Sequence, residues 1–548
     1  MGFFARNAKH LWVSFLFSIS VFLLFPLSVY TQNIDINSFS FEDILLPLFL
    51  FSAIGFTITS FLVILLSKRL KFVSLLLTAL LVCLWVQGNF IKYDLGPLDG
   101  KEIPWGSFYS RIWIEILVWA AIFSLFIIFR KKLLKNIRSI AILLFILFLA
   151  PSVFTLIKEG RNIPEKVYLD YSGEFHFSEQ NVILIILDNF KTDVFKPILE
   201  KYPEYQDVFK DFIYYDDAIG GYSTTLPSIP LLLTGKYYQN TVPMNEYLAS
   251  IEDLTIPSQL KKHGYAIESY AYVPFFSSLY DNHTNSMLFK DQLSTATRQV
   301  VVSGIRYSPL PLKPLFVARY YYGTDYVHKD IVTFNARINE FEVTTNKPMF
   351  KMIHLSGAHY PYQLDSALNW NNSSYLEQAA SSLLPVKNLL NELKKAGVYD
   401  NSMILIMSDH GGFFVQGYSS FPLESQSQPL LLAKAAGQGS EQMQISHSPV
   451  TLGDIPKTIA IETGIDANYP GYSIYDKIPD NRIRYFYYYA WDQENWSTKY
   501  MPTLYEFKLA GPARLMSSWE YVGQYGEGHF IDAATQNESD LIDLLMAK

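Results

Sequence analysis

Four polar residues stand where a protein of alternating strands and helices puts its chemistry. The apolar run NVILIIL (181–187) ends in Asp188, MFKMIHLSGA (349–358) is followed by His359, and MILIMS (403–408) gives way to Asp409, His410, Gly411 and Gly412. Acids and histidines placed just after successive strands converge on one rim of a sheet, and carboxylate oxygens with imidazole nitrogens suit a divalent ion such as Zn²⁺ or Mn²⁺. Each residue alone also has an ordinary use. An Asp after a strand commonly caps a helix or sits in a turn, and Asp-His-Gly is a frequent turn. The lone cysteine, Cys83, lies in an apolar run, so no disulfide framework or cysteine metal site can form within the chain, and the chemistry falls to Asp, Glu, His, Ser or Thr.

The elements that must position these residues read as α/β. The first run is a continuous β-branched and leucine stretch without polar alternation, as expected of a parallel strand covered on both faces, and 349–355 and 403–408 read as similar strands. A helical stretch at 373–397 separates two of them. Alternation of this kind implies a doubly wound, mostly parallel sheet with ligands at the carboxyl ends of its strands. From about residue 480 the chain turns aromatic (RIRYFYYYAWDQENW, 482–496), which predicts a β-rich extension. It would pack against the core as an edge sheet or form an added antiparallel subdomain over the site, and its Tyr and Trp would also suit glycan stacking.

Half of the 548 residues are hydrophobic and only 17% are charged, a balance that excludes a disordered chain and points to one part in lipid. Five apolar runs, at about 11–30, 43–66, 72–87, 112–129 and 139–157, each approach the ~20 residues a spanning helix needs. No A-x-A-like site closes the first run, so it reads as a retained anchor rather than a signal peptide. Arg6, Lys9, Lys68, Arg69, Lys71, Arg130, Lys131, Lys132, Lys135 and Arg138 fall on one side of these runs, against Lys92, Lys101 and Arg111 on the other. The positive-inside rule then makes the N-terminus cytoplasmic and delivers residue 158 onward to the outside, as in a multi-pass protein of a bacterial inner membrane with a periplasmic domain. The long loop 88–111, with Trp105, is expected at the membrane surface, beneath the catalytic domain or as a plain surface loop. The organisation expected is a transmembrane domain (1–157), a polar linker (158–180), a catalytic domain (181–480) and an aromatic-rich subdomain (481–548). Residues 1–164 carry a net +7 and residues 165–548 a net −14, and so acidic a second part excludes nucleic acid as a partner.

A further segment carries a resemblance. Gly220-Gly221-Tyr222-Ser223-Thr224-Thr225-Leu226-Pro227-Ser228-Ile229-Pro230-Leu231-Leu232-Leu233-Thr234-Gly235 is a glycine-led loop running into an apolar turn. From Thr225 to Gly235 it is similar, without a gap, to the sulfatase signature Cys/Ser-x-Pro-Ser-Arg-x-x-Leu-Leu-Thr-Gly of the alkaline-phosphatase/sulfatase superfamily. In that resemblance Thr225 occupies the nucleophile's position, while Asp188 to Asp193 and Ser408-Asp409-His410-Gly411 resemble the metal-binding segments before and after it. His359-Tyr-Pro-Tyr362 resembles the His-x-Pro-aromatic segment that holds substrate. His447, in Ser446-His447-Ser-Pro-Val-Thr-Leu-Gly-Asp454, resembles a substrate-facing histidine. The likeness runs from about 180 to 465.

Two departures point away from ordinary sulfate-ester hydrolysis: a threonine where sulfatases mature a cysteine or serine, with Ile229 where they carry arginine, and a first strand ending in Asp188-Asn189 where they usually have two adjacent acids. A threonine nucleophile behind a five-helix anchor is similar to lipoteichoic acid synthases and lipid A phosphoethanolamine transferases. These generally begin their metal set with Glu, where this chain has Asp188. Membrane-anchored sulfatase-like regulators of lipopolysaccharide are a third likeness. The resemblance implies one divalent ion, Zn or Mn, held by Asp188, Thr225, Asp409 and His410, with Thr225 as nucleophile and His359 and His447 on the substrate. It implies transfer of a phospho-alcohol, phosphoethanolamine or phosphoglycerol, from a phospholipid donor to an envelope glycan or lipid A acceptor. A phosphate- or sulfate-ester hydrolase and a non-enzymatic lipid-sensing regulator remain the alternatives. Thr224 stays open as the nucleophile, and Ser223 reads as a turn residue.

Overall fold

The computed structural model of the chain describes residues 2–32, 41–65, 70–95, 103, 105–159, 175–271, 275–285, 292–322, 328–412, 419–489, 500–535, 542 and 545. Most of the expected linker, 160–174, lies outside them, as do Lys68, Arg69 and Lys101 of the charge count. The chain divides into two compact units, one of residues 1–168 with 290–325 and one of residues 169–289 with 326–548.

The second unit contains strands β1 (His176–Ser178), β2 (Asn181–Leu187), β3 (Ile213–Tyr215), β4 (Ala266–Ala271), β5 (Asn282–Asn285), β6 (Glu342–Thr345), β7 (Met349–Leu355), β8 (Ser402–Met407), β9 (Leu431–Lys434) and β10 (Gln444–Ser446). Eight of them form a sheet in the order β10-β3-β9-β8-β2-β7-β4-β5, while β1 pairs with β6. Only β9 runs against both of its neighbours, so the sheet is mostly parallel. The uninterrupted apolar sequence of β2 follows from its central place. Ile183, Ile185 and Leu187 face a core built with the helix Tyr375–Lys395, whereas Val182, Leu184 and Ile186 face one built with the helix Thr225–Thr234. The three apolar runs picked out in the sequence are thus three adjacent strands, β7, β2 and β8.

Register brings the polar residues together. In the parallel pair β2 and β8, Ile186 lies opposite Met407, so Asp188 and Asp409 each come two residues later at the same end. On the other side Leu187 lies opposite Leu355, and the turn after β7 folds back onto Asp188: the Ala358 amide donates to the Asp188 carbonyl at 2.8 Å. Gly357 makes this approach possible, because its φ is +53° and a Cβ there would lie 2.4 Å from the Asp188 carbonyl oxygen.

The C-terminal region forms a separate antiparallel sheet of β11 (Ile483–Tyr488), β12 (Leu504–Ala510), β13 (Trp519–Gly526) and β14 (His529–Asp532), in that order. Phe486, Phe507, Leu509 and Trp519 pack with Ile219, Phe421 and Leu423. Arg484, fully buried, donates to the Asp217 carboxylate at 2.7 Å and ties β11 to the loop before the glycine-led segment.

The first unit is helical. Among the described residues, four helices are long and apolar enough to cross a membrane, at Leu11–Gln32, Ile44–Leu62, Phe72–Phe90 and Ile137–Thr155. The expected span at 112–129 is the helix Ile112–Ile128, whose 17 residues make it shorter than the other four. The third run extends past the predicted 72–87 because Gln87, polar but buried, continues its helix to Phe90. Residues 290–325, read from the sequence as part of the catalytic domain, group instead with these helices, through Gln292–Tyr307 and Lys313–Tyr322. The apolar stripe of each finds its partners among the N-terminal helices and the loop after Phe90.

Gly357→Ala should force a left-handed conformation costing roughly 1–2 kcal/mol and push the turn off Asp188. A lower melting temperature together with less bound divalent metal in the purified variant is the expected result.

Candidate metal centre and nucleophile

Asp188, Asp409 and His410 are buried, and one ligand atom from each lies within 4.8 Å of the others. His410 Nε2 is 3.2 Å from Asp188 Oδ1 and 3.6 Å from Asp409 Oδ2. The ring is oriented by its other nitrogen, since Nδ1–H donates to the Gly411 carbonyl and turns Nε2 toward the carboxylates. Asp409 Oδ1 accepts from the His410 amide at 3.1 Å, but Oδ2 is buried with no hydrogen bond of normal geometry. Hard oxygens, one of them unsatisfied, beside an imidazole with its outer nitrogen fixed are a donor set that fits a divalent cation.

The charges show the same requirement. Burial would raise the Asp188 carboxyl, yet the hydrogen bond and charge of His410, with the charges of His359 and His354, hold it well below the usual range. Burial, followed by the adjacent charge of Asp188, raises Asp409. Burial would lower His410, but the charges of Asp409 and Asp188 outweigh it and push the imidazole up to about 9. Without metal, the proton on His410 is the neutralising cation between two acids.

Thr225 is the first residue of the helix Thr225–Thr234, after an extended Thr224, and the helix ends at Gly235 with φ +69°. Its Oγ1 lies 3.4 Å from His410 Nε2 and 3.5 Å from Asp188 Oδ2. The helix N-terminus behind it favours negative charge. The two neighbouring hydroxyls are engaged elsewhere. Thr224 Oγ1 is hydrogen-bonded with the hydroxyl of Tyr489, and Ser223 Oγ lies 3.4 Å from the Tyr489 carbonyl. The Tyr487 amide also donates to the Gly221 carbonyl at 2.8 Å, so the end of β11 and the residue after it hold the loop before the helix. Tyr489 escaped the sequence reading; its aromatic run was visible, but not its partner.

The remaining residues divide. His359 is partly buried in the turn after β7, close enough for its charge to act on Asp188. Its turn is held from behind by a buried cluster: Ser356 donates to Asp330 from its amide and its hydroxyl, both at 2.6 Å, and His328 bonds Ser356 Oγ and the Pro361 carbonyl. No sequence signal marked Asp330 or His328, whose positions lie in and beside a helix, Lys329–Arg337, far from any motif. His447 is not drawn into the centre. Its imidazole is 76% exposed and its Nδ1 pairs with Asp216 at 2.6 Å. Lys191 lies buried at the same rim, its Cγ 3.2 Å from where a Cβ on Gly412 would stand.

The family model for sulfatases matches residues 180–465, more than half of the chain, and the protein belongs to the sulfatase family. No curated protein matches it. Among solved structures, it is similar to a protein of the alkaline phosphatase superfamily from Vibrio parahaemolyticus, with 13% identity over 68% of this chain and 86% of that one and a TM-score of 0.42. It is also similar to the lipoteichoic acid synthase LtaP from Listeria monocytogenes, with 12% identity over 62% and 86% and a TM-score of 0.37. A third is a protein solved with its substrate D-glucosamine-2-N,6-O-disulfate, with 14% identity over 60% and 87% and a TM-score of 0.38. At these identities and scores the likenesses bear on neither substrate nor reaction.

Loading the centre with a metal must displace the proton on His410. Apparent affinity, measured by competition with a chromophoric chelator, is expected to fall about tenfold for each pH unit below about 9, and to level off above it. Alanine at Asp188, Asp409 or His410 should each remove bound metal while the membrane helices stay folded, which metal analysis of the purified variants checks.

Proposed function

We propose that this protein is a membrane-anchored, metal-dependent phospho-alcohol transferase. It would move phosphoethanolamine or phosphoglycerol from a phospholipid to an envelope glycan or lipid A through a phospho-threonine intermediate. The observation that carries this reading is the threonine hydroxyl of Thr225, poised over a buried Asp-Asp-His group in a chain whose other unit is built of membrane-length helices. A soluble substrate would need no such anchor.

Asp188, Asp409, His410 and Thr225 would hold the ion, and a divalent cation there supplies charge stabilisation and lowers the pKa of a hydroxyl. Thr225 Oγ attacks phosphorus, the bond to the diacylglycerol oxygen breaks, and the phospho-alcohol stays on Thr225. An acceptor hydroxyl then attacks the same phosphorus, transfers the group and restores Thr225. His359, whose charge acts on Asp188, would bind the non-bridging oxygens or protonate the leaving oxygen. His447 would reach substrate from its exposed position beyond the centre. Hydrolysis is the second reading, favoured by membership of a family that includes sulfatases.

The same proposal takes the helix Ile112–Ile128 as a fifth crossing. Its first turn, at Glu115, accepts a hydrogen bond from Gln87 near the end of the third span, and its last turn leads into Arg130, Lys131 and Lys132. Trp85, beside Gln87, stacks on Phe148 well inside the span that follows those cations. A helix running between those two levels supports five crossings, a cytoplasmic N-terminus and an extracytoplasmic second unit.

With headgroup-labelled phosphatidylethanolamine or phosphatidylglycerol, diacylglycerol release with label on a glycan is expected, while label released as free headgroup would establish hydrolysis. Thr225→Ala should abolish release and Thr225→Ser keep part of it, with Thr224→Ala milder; mass spectrometry without acceptor should find the adduct on the Thr225 peptide. A reporter active only outside the cytoplasm, fused after Lys548, should be active.

A further inference from the structure

Residues 292–322 leave the sulfatase-like unit and return to it, yet they pack as part of the helical unit. We propose that this helical hairpin is embedded in the lipid leaflet on the side away from the cation-rich loops, with Leu293, Leu312 and Leu315 reaching its glycerol and upper acyl region. The inference rests on the N-terminal helices crossing a membrane and is independent of the transferase reading.

The described hydrogen bonds of the hairpin to the long helices fall toward one end of them, and its apolar contacts reach inward from there. Gln299 Nε2 donates to the Pro26 carbonyl at 2.9 Å, the Tyr307 ring stacks on Phe25 at 4.0 Å, and its hydroxyl bonds Ser28 Oγ at 3.0 Å, all near the end of the first span. Ala296 packs with Leu23, Ile44 and Leu48, the last two at the start of the second span. Arg306 donates to the Gly88 carbonyl at 3.0 Å at the end of the third. A Cβ at Gly88 would strike the Tyr307 ring at 2.2 Å, so that glycine is what admits the ring. The Leu310 amide donates to Glu115 Oε2 at 2.9 Å in the first turn of Ile112–Ile128. The opposite ends of these helices carry Lys68, Arg69, Arg130, Lys131, Lys132 and Lys135 in sequence.

Depth follows from residue counts. Gly88 is two residues inside Phe90, Leu48 four inside Ile44, and Pro26 six and Leu23 nine inside Gln32, which at 1.5 Å per residue sets the hairpin's contacts from about 3 to about 14 Å below the ends of the spans, centred near 8 Å. That is the level at which amphipathic helices lie in a membrane surface. The face turned away from the bundle fits lipid rather than water. Leu293 is 50% exposed, Leu312 45% and Leu315 66%. Arg298, held by Tyr320 at 2.6 Å, with Arg306 and the exposed Arg319, supplies cations beside them for lipid phosphates. The second helix is seated by Val317, which packs with Ile103 and Ile305, and the short helix Trp105–Tyr109 of the long loop joins this cluster.

The test uses full-length protein reconstituted in vesicles of phosphatidylethanolamine and phosphatidylglycerol. Leu312→Cys and Leu315→Cys are labelled with an environment-sensitive fluorophore; Lys395→Cys, on an exposed helix of the other unit, is the control, and unlabelled Cys83 is buried, so wild type gives the background. A nitroxide near the glycerol backbone of the lipid should quench the labels at 312 and 315 at least about threefold more than the label at 395, with the order reversed for aqueous iodide. Iodide quenching at 312 and 315 equal to that at 395, with no lipid quenching, would overturn the proposal. Stronger quenching from a nitroxide at the acyl terminus would overturn the depth assigned.

Discussion

Two carboxylates buried side by side are the constraint around which the second unit is organised. Asp188 and Asp409 follow adjacent parallel strands in matched register, so the backbone ladder leaves them no freedom to separate. At ligand-atom separations within 4.8 Å two like charges repel by about 3 kcal/mol even at the effective dielectric of 20 that suits protein interiors. Positive charge beside them relieves that repulsion, which is why the two acids push the His410 imidazole up and why the group suits a divalent cation. The sheet thus holds a vacancy of charge, and the protein's chemistry begins with what fills it.

The surrounding elements meet that demand from three directions. From one face of the sheet, the helix Thr225–Thr234 is seated by Ile229, Leu232 and Leu233 and brings a hydroxyl and a helix N-terminus to the carboxylates. From beside β2, the turn after β7 closes on the Asp188 backbone through Gly357 and carries His359 with it. From the C-terminal sheet, Tyr487 and Tyr489 fix the loop in front of the helix and occupy the hydroxyls that would compete with Thr225. Each contact is ordinary alone. Together, among the described residues, they leave the Thr225 hydroxyl facing the centre.

What was legible in the sequence followed from local pattern. The strands β2 and β8 are nearly continuous apolar runs, and β7 is one interrupted by Lys351 and His354, because both faces of a central strand are covered, and the polar residues just beyond them stood out by contrast. The segment from Gly220 to Gly235 was legible as a motif, and its likeness to the sulfatase signature agrees with the family to which the chain belongs. Residues whose meaning depends on distant partners were not legible. The hairpin 292–322 has the polar and apolar periodicity of a helix on any surface, and nothing local says that its partners are Pro26, Gly88 and Glu115. His447 was picked out by its neighbours in sequence, whereas its side chain answers to Asp216 on another segment.

The bond between Thr224 and Tyr489 joins residues 265 positions apart. A ribosome adding roughly 5–20 residues per second needs about 13–50 s to travel that distance. Throughout that interval the nascent chain already contains the threonine but not the tyrosine that steadies its loop, and for the first part of it the central strand β2 also waits for β7 and β8 to arrive. The braced loop is therefore among the last features the polypeptide acquires. A polypeptide cut short before residue 489 would carry the acids, the histidine and the threonine and still lack the brace on the loop that presents it.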